Sequence, residues 1–458
     1  MKYVVYGLGI SGISTAKFLA KNGDDVIATD DNLTTLEQDQ KKFPELKFAK
    51  PDEIKYDAET LISFAPGIPL YFPKQHKILE NVKNSGATLA CDMEIFYRKN
   101  SAAKYIAITG TNGKSTTTAL SGFIFEQLKI PSAIGGNIGV PCFDVPMQKN
   151  YTYIFEASSF QLDLLSQTHF KIAALLNITP DHIDRHGSMQ GYIEAKKRIF
   201  RNQTIGDFAL IDVDNENSKK VYDELKADKN FKATLVPIST KKIQENGVSL
   251  FGGKLVNNIA QKSELELTSE FLRGEHNDQN MAFAFAIAYC HFLQSGDAQN
   301  VEEKIISLIK KFHGLRHRMQ IVGKIADTRF INDSKATNAE STEHALKAYD
   351  NIFWIAGGRA KEGGIEHLTP YFKKIHKAYL IGEASEDFAK TLEKNSVAFE
   401  KCGDLKTAFE KAFSDSKKSS LSEKNILLSP ACASLDQWKN FEQRGDYFCT
   451  LFDELPKF

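Results

Sequence analysis

The chain has 458 residues, enough for roughly two to four domains, and its apolar and charged fractions, 42% and 25%, are those of an ordinary globular protein. Fifty-eight basic and 58 acidic residues cancel, which argues against nucleic acid or an anionic membrane as a partner. The richest apolar stretch, "MAFAFAIAYCHFL" from Met281, falls short of the ~20 residues that span a bilayer, and residues 1–15 carry no uninterrupted hydrophobic core, so neither a membrane span nor a signal peptide is expected.

The first block runs over residues 1–93. "YVVYG", "DVIATDD" and "TLISFAPG" read as strands, and Ser14 to Lys21 has helical periodicity between the first two, a small β-α-β unit with a parallel sheet. Gly7, Gly9 and Gly12 form G-x-G-x-x-G behind the first strand, with Asp30 and Asp31 where an acid would reach a ribose. Taken alone this predicts a dinucleotide site, and a dehydrogenase is its simplest owner.

The second block runs over 94–297. "KYIAITG", "YTYIFEASS", "KIAALLNIT" and "DFALIDVDN" are apolar runs ending in polar residues, the pattern of buried parallel strands. "VSLFGGKLV" (248–256) predicts a hairpin, and Asn280 to Phe292 a buried helix. "YIAITGTNGKSTTTAL" (105–120) is a strand, a loop with Gly110 and Gly113, then Lys114-Ser115 opening a helix. Small loop residues let backbone N–H groups surround phosphate, the helix N-terminus adds positive potential, lysine neutralises the outer phosphates, and the hydroxyl suits Mg²⁺. The departure from G-x-x-x-x-G-K-[ST] is Ile108 in place of the first glycine. Glu156 ends a strand, and His182, Asp184 and His186 follow another; with the phosphate loop they predict one carboxylate and one histidine for a metal, beyond the C-terminal strand ends.

The third block runs over 298–458, where "TRFIND", "NIFWIAGG", "KAYLIG" and "NILLSPA" alternate with helical segments such as "LKTAFEKAFSDSKKSS". The expectation is an α/β protein of three domains: Rossmann-like at the N-terminus, an ATPase-like parallel sheet in the middle, Rossmann-like at the C-terminus. The six cysteines, at 91, 142, 290, 402, 432 and 449, include no C-x-x-C and read as free thiols of a reducing compartment. Cys432 stands beside the expected site, but no base motif marks it as a nucleophile.

"TGTNGKST", "GGNIG" (135–139), "EASSFQL", "NITPDHIDRH", "EAKKRIF", "GEHNDQN", "HGLRHR" and "INDSKATN" occur in the order seen in the Mur ligases, which build the peptide stem of peptidoglycan, and the chain resembles that family from Gly7 to about Phe448. The final "LLSPACASLDQWKNFEQRGDYF" is similar to members that add D-glutamate to UDP-N-acetylmuramoyl-L-alanine. The resemblance implies a cytoplasmic, monomeric, ATP-dependent ligase of peptidoglycan precursor synthesis.

It also implies residue roles. Gly110, Thr111, Asn112, Gly113, Lys114, Ser115 and Thr116 would hold ATP phosphates, Asn277 and Asn280 would lie near adenine, and Arg318 and Asp333 would hold the nucleotide from the C-terminal domain. Ser115, Glu156, His182 and a carbamylated Lys196 would carry two Mg²⁺ ions. Gly9, Ser11, Gly12, Asp30, Asp31, Pro66, Gly67, Asn137 and His182 would bind the UDP substrate; Thr337, Lys361, Ser434, Leu435 and Phe441 would bind D-glutamate, with Lys335 joining the catalytic set of Lys114, Glu156, His182 and Lys196. Two departures stand out: "GGRAKEGG" where the family has an acid in a "GGDGK"-like loop, and Ala65 in "FAPGI" where it has serine. Under this reading G-x-G-x-x-G cradles the diphosphate of a UDP-sugar. The rival readings are a dehydrogenase, another amino-acid ligase of Mur or folylpolyglutamate type, and a non-catalytic nucleotide-binding module.

Overall fold

A computed structural model describes residues 2–137, 140–360 and 364–456. Strands gather into three sheets, each dominated by parallel pairs. The first contains β1 (Lys2–Tyr6), β2 (Asp25–Thr29), β3 (Thr60–Phe64) and β4 (Thr88–Ala90) in the order β2-β1-β3-β4, all parallel. Parallel neighbours require a crossover, and the helix Ile10–Lys21 supplies it between β1 and β2. Strand β4 was not legible in the sequence, because three residues are too few to show a period.

The second sheet has nine strands: β5 (Lys104–Thr109), β6 (Ser132–Gly136), β7 (Thr152–Glu156), β8 (Ile172–Leu175), β9 (Phe208–Asp212), β10 (Thr234–Ser239), β11 (Val248–Phe251), β12 (Lys254–Asn257) and β13 (Ser263–Glu266). Their order is β13-β12-β11-β10-β9-β8-β5-β7-β6. Only β11-β12 and β12-β13 are antiparallel. The predicted hairpin is β11-β12, its turn made by Gly252 and Gly253 at φ +60° and +76°, backbone that an L-residue rarely adopts. The β5 and β7 runs are buried throughout apart from Lys104, so their sequences read as continuous apolar stretches. The apolar helix expected at 280–292 spans Glu275–Ser295; it packs on the helix Lys114–Gln127 and is buried from Asn280 to His291. Among the described residues no helix is long and apolar enough to cross a membrane.

The third sheet contains β14 (Gln320–Ile325), β15 (Thr328–Asn332), β16 (Ile352–Gly357), β17 (Ile375–Ile381), β18 (Phe399–Gly403) and β19 (Lys424–Leu428), in the order β14-β15-β19-β16-β17-β18. Only the β14-β15 pair is antiparallel. Apolar clusters fill both of its faces, one around Trp354, the other around Phe330 and Phe409.

The chain divides into two compact units, residues 1–269 with 275–311, and residues 270–274 with 312–458. The first unit holds both the four- and the nine-stranded sheets. The sequence reading began its third block at 298, but the helix Glu302–Lys311 packs on the helices Lys114–Gln127 and Glu275–Ser295, and its buried face of Ile305, Ile306 and Ile309 attaches it to the first unit.

Within that unit the four-stranded block is locked to the nine-stranded one by a carboxylate that sequence reasoning passed over. Glu94, on the helix Asp92–Lys99, is wholly buried. It accepts bonds from the backbone N–H groups of Ser166, Gln167 and Thr168, from the hydroxyls of Ser166 (2.9 Å) and Thr168 (2.6 Å), and from Arg98 Nε (2.8 Å). Burial works to raise its carboxyl, but these donors outweigh it and the net shift is downward.

Candidate active site

Strand β5 ends at Thr109 in the middle of the sheet, and the loop Gly110–Gly113 turns into the helix Lys114–Gln127. Gly113 sits at φ +84°, the left-handed region, and a Cβ there would strike the Asn280 carboxamide. A Cβ on Gly110 would lie 2.9 Å from Leu176. Neighbouring segments fix the loop. Thr111 N–H donates to Asn177 O (2.9 Å), Asn112 N–H to Asn177 Oδ1 (2.8 Å), and Thr179 N–H to the Thr111 hydroxyl (3.0 Å). Asn280, buried, accepts from the Thr117 hydroxyl (3.1 Å) and donates to Asn277 Oδ1 (3.0 Å). The two asparagines of "GEHNDQN" thus brace the loop and its helix from the long helix behind.

Two lysines meet on this loop. Lys114 Nζ donates to Gly110 O (2.8 Å) and Thr111 O (2.9 Å), and Lys196 Nζ donates to the same Gly110 O (2.9 Å). Lys196 is 1% exposed. Burial, reinforced by the Lys114 charge, holds its amine well below the usual lysine range. A buried neutral amine is the nucleophile that CO₂ needs to form a carbamate, and the protonated form of an exposed lysine is not.

Glu156 ends β7 beside Ile108 of β5 and is buried. Its Oε1 accepts from Asn137 Nδ2 (2.9 Å), while Oε2 is buried with no hydrogen-bond partner among the described residues. An unmet buried carboxylate oxygen is costly unless a cation or donor completes it, so this residue fits a metal ligand. Asn137 orients Glu156 in addition to any role toward the substrate.

His182 stands at φ +53° before the short helix Ile183–His186, its side chain about half exposed, 3.5 Å from Asp181. His186 stacks on Phe160 (5.2 Å between centroids, 6° between planes) and meets the Ser159 hydroxyl at 2.9 Å. Burial, with the nearby His182, Lys196 and Arg185, lowers its imidazole to about 4. Its stacking on Phe160 and its bond to Ser159 make it part of the packing around the phosphate loop. Among the described residues no three or more His, Cys, Asp or Glu side chains gather as a metal cluster; the expected set is unlike such a cluster because Ser115 and Lys196 complete it.

The first glycine loop is built differently. Gly7, at φ +98°, packs against Ala65, and Gly12 lies so close to Gly7 O that a Cβ would overlap it. Gly9 caps the helix Ile10–Lys21 with open space where its Cβ would be. Both acids expected at a ribose have protein partners. Asp30 accepts from Leu8 N–H (2.8 Å) and Asn32 N–H (2.8 Å), so it shapes the loop. Asp31 accepts from the Tyr6 hydroxyl (2.6 Å) and meets His76 Nε2 (2.8 Å); burial opposes ionisation there, but these two bonds keep its carboxyl below the usual range. Pro66 and Gly67 follow β3 at the same end of the sheet.

In the second unit, Asp333 is buried just beyond β15, accepting from Met319 N–H (3.1 Å) and the Ser429 hydroxyl (2.7 Å); burial raises its carboxyl to about 7 against the pull of Ser429 and Arg318. Lys335 Nζ lies 5.1 Å from the Phe441 ring centroid, and Ser434 is buried beside exposed Leu435. Thr337 follows in the same loop, its N–H on Lys335 O (2.8 Å). Lys361 lies outside the described residues. Sequence reasoning missed Arg444, which is buried and donates to Ser334 and Cys432 O, binding the "SPACAS" and "NDSKATN" segments together; its signal was the arginine inside an otherwise amphipathic last helix.

A phosphate loop with two converging lysines and an unmet carboxylate, on a parallel sheet followed by a separate α/β unit, is the frame of an ATP-using ligase. The family model of the Mur ligase middle domain matches residues 108–288, and that of the Mur ligase glutamate ligase domain residues 317–432. The chain belongs to the Mur ligase family. Within it, a protein of Rickettsia bellii called UDP-N-acetylmuramoylalanine--D-glutamate ligase is 43% identical over 457 residues, 98% of this chain and 97% of the relative. Proteins of the same name from Caulobacter sp. and Wolbachia pipientis are 40% and 38% identical, over 99% and 98% of this chain and 96% of each relative. Among solved structures, MurF from Acinetobacter baumannii superposes with a TM-score of 0.58 at 17% identity over 79% of each chain, and the UDP-N-acetylmuramate-alanine ligase MurC of Thermotoga maritima with 0.56 at 16% over 99% of each, which supports the fold.

Proposed function

We propose that the chain joins D-glutamate to UDP-N-acetylmuramoyl-L-alanine, with ATP converted to ADP and phosphate, in the synthesis of peptidoglycan precursors. The observation that carries this is the convergence of Lys114 and Lys196 on Gly110 O beside the unmet carboxylate of Glu156, in a chain whose relatives of that name match it nearly end to end. Amide formation from a carboxylate in water is uphill. A carboxylate oxygen of the substrate therefore attacks the γ-phosphorus, the bond to ADP breaks, and an acyl phosphate forms. The D-glutamate nitrogen then attacks the acyl carbon, the C–O bond to phosphate breaks, and the amine proton leaves to solvent or a base.

Lys114 balances charge as the two anions approach. Ser115, Glu156, His182 and, after addition of CO₂ to its neutral amine, Lys196 would hold two Mg²⁺ ions, which screen the same repulsion. Asn277 and Asn280 set the loop toward the nucleotide base. Three functional regions follow: residues 1–93, Rossmann-like, for the nucleotide-sugar; 94–297, an ATPase-like parallel sheet, for ATP, with the helix Glu302–Lys311 packed on it; and the Rossmann-like unit from Phe312 onward for D-glutamate. In the last, Lys335, Lys361, Thr337, Ser434, Leu435 and Phe441 would receive an amino acid with two carboxylates, whose hydration cations and hydroxyls must replace. The family resemblance gives Arg318 and Asp333 a role toward the nucleotide.

The test is phosphate release from ATP with UDP-N-acetylmuramoyl-L-alanine and a panel of amino acids. D-glutamate is expected to stimulate release above every other member. Stimulation by another amino acid instead would move the chain to a different ligase activity, and tight NAD binding without ATP turnover would restore the dehydrogenase reading.

A further inference from the structure

Arg185 belongs to neither the phosphate loop nor the metal-ligand set, yet it is where the two sheets of the first unit meet at their substrate ends. Its Nη2 donates to Pro66 O (3.2 Å) and its Nη1 to Gly67 O (3.3 Å). The guanidinium lies over the Phe160 ring, 4.4 Å from the centroid. Phe160 is in turn shared with the two histidines of "DHIDRH": His186 stacks on it and His182 stands 5.0 Å away. Among the described residues no carboxylate comes within ion-pair distance of Arg185.

The turn it holds is the one against which the first glycine loop rests. Ala65 N–H donates to Tyr6 O (2.8 Å), and a Cβ built on Gly7 would come within 2.5 Å of Ala65 Cβ. The same seam continues through Phe72, whose ring covers Gly187 so closely that a Cβ there would lie 2.6 Å from it. A planar fork that makes two parallel bonds and stacks on an aromatic face fixes both distance and orientation, which a flexible ammonium does not. We infer that Arg185 is a positioning residue for the nucleotide-sugar: it sets the Ala65–Gly67 turn, and through it the Gly7–Gly12 loop, at a fixed distance from Phe160 and His182, so that the substrate's reacting carboxylate arrives at the ATP site.

This rests on the ligase reading, and the test separates the two. The wild-type protein is assayed first; lack of D-glutamate-dependent phosphate release would overturn the ligase reading and leave Arg185 without a substrate to place. With an active wild type, Arg185→Ala is expected to raise KM for UDP-N-acetylmuramoyl-L-alanine by roughly tenfold or more, the scale of two charge-assisted bonds, while KM for ATP and for D-glutamate stay within about twofold. Arg185→Lys, retaining one donor, is expected to recover part of that loss. Calorimetry with UDP-N-acetylmuramoyl-L-alanine alone should show the same weakening. Unchanged KM values in both variants overturn the inference, as does a parallel change in all three KM values with a lowered Tm, the signature of a merely structural residue. Should Arg185→Ala not fold, Arg185→Lys carries the same comparison.

Discussion

Two strand–glycine loop–helix junctions stand in the first unit, at Gly7–Gly12 and at Gly110–Gly113, and what surrounds them differs. The first has acids bonded within the protein: Asp30 accepts from Leu8 N–H, and Asp31, exposed, bonds Tyr6 and His76. No lysine bonds to its glycines among the described residues. The second has two lysines on one carbonyl and a buried carboxylate oxygen with no partner. Both loops present backbone N–H groups at a helix start, which suits any anion. Under the proposed function, the side chains around them separate a cradle for a diphosphate from a site that transfers a phosphoryl group. A glycine fingerprint alone therefore says "anion", and reading a nicotinamide cofactor into Gly7–Gly12 asks more of it than its neighbourhood supplies.

The comparison breaks most visibly at Lys114. Lys114→Ala should lower kcat at least about a thousandfold, the scale of losing a preorganised charge at a transferring phosphoryl group, with UDP-substrate affinity unchanged in calorimetry. Comparable binding losses at both loops would mean that they form one site.

Lys196 sharpens the point from the stability side. Its amine has a lowered pKa in the fold, so the unfolded chain holds this proton more tightly than the folded one, and the folded state loses stability as pH falls below the ordinary lysine value. Lys196→Met should therefore abolish turnover and at the same time stabilise the ligand-free protein, by about 1–2 kcal/mol at pH 7 in urea unfolding, as apolar replacement of a buried ionisable group does. A destabilised, inactive variant would mean that the lysine is structural.

Between the two loops lies the Glu94 latch, and it should affect stability more than chemistry. Glu94→Gln turns an acceptor of many bonds into a group with two donors of its own, at a cost of about 3 kcal/mol. Because the folded carboxyl has a lowered pKa, this contribution is present above the unfolded value near 4.3 and is lost as pH falls through the folded value. The wild-type and variant stability curves should converge in acid and stay apart at neutral pH. A wild-type stability as low as that of the variant at neutral pH would refute the latch.

The smallest effect is expected at Gly9. Its Cβ position is open and its φ of −67° suits any residue, so Gly9→Val should leave Tm within a degree or two while weakening UDP binding about tenfold, the scale of a blocked approach to the diphosphate. Gly12→Ala, whose Cβ would overlap Gly7 O, should cost about 1–3 kcal/mol of stability instead. Equal stability losses in both would show that the loop is built for folding alone.

The α/β class, the parallel sheets, the β11-β12 hairpin, the long apolar helix and the phosphate loop were legible in the sequence, since each rests on a local period or a local backbone requirement. Gly113 needs φ +84°, and β5 needs an unbroken apolar run, whatever the rest of the chain does. From composition and spacing alone Lys196 is one cation in "EAKKR", and only the family resemblance singles it out. What lowers its pKa is burial, reinforced by the charge of Lys114, where it bonds Gly110 O eighty-odd residues earlier in the chain. The helix Glu302–Lys311 looked like the start of a third block, and only its packing assigned it to the first unit. Asp30 and Asp31 also bond Leu8, Tyr6 and His76, pairings that no local signal in the sequence shows. Sequence by itself determined which segments become strands, turns and helices, because those depend on neighbours along the chain. Tertiary structure alone decided which charges are neutralised, which carboxylate is left wanting a cation, and which arginine spans two sheets, because burial and pairing depend on neighbours in space.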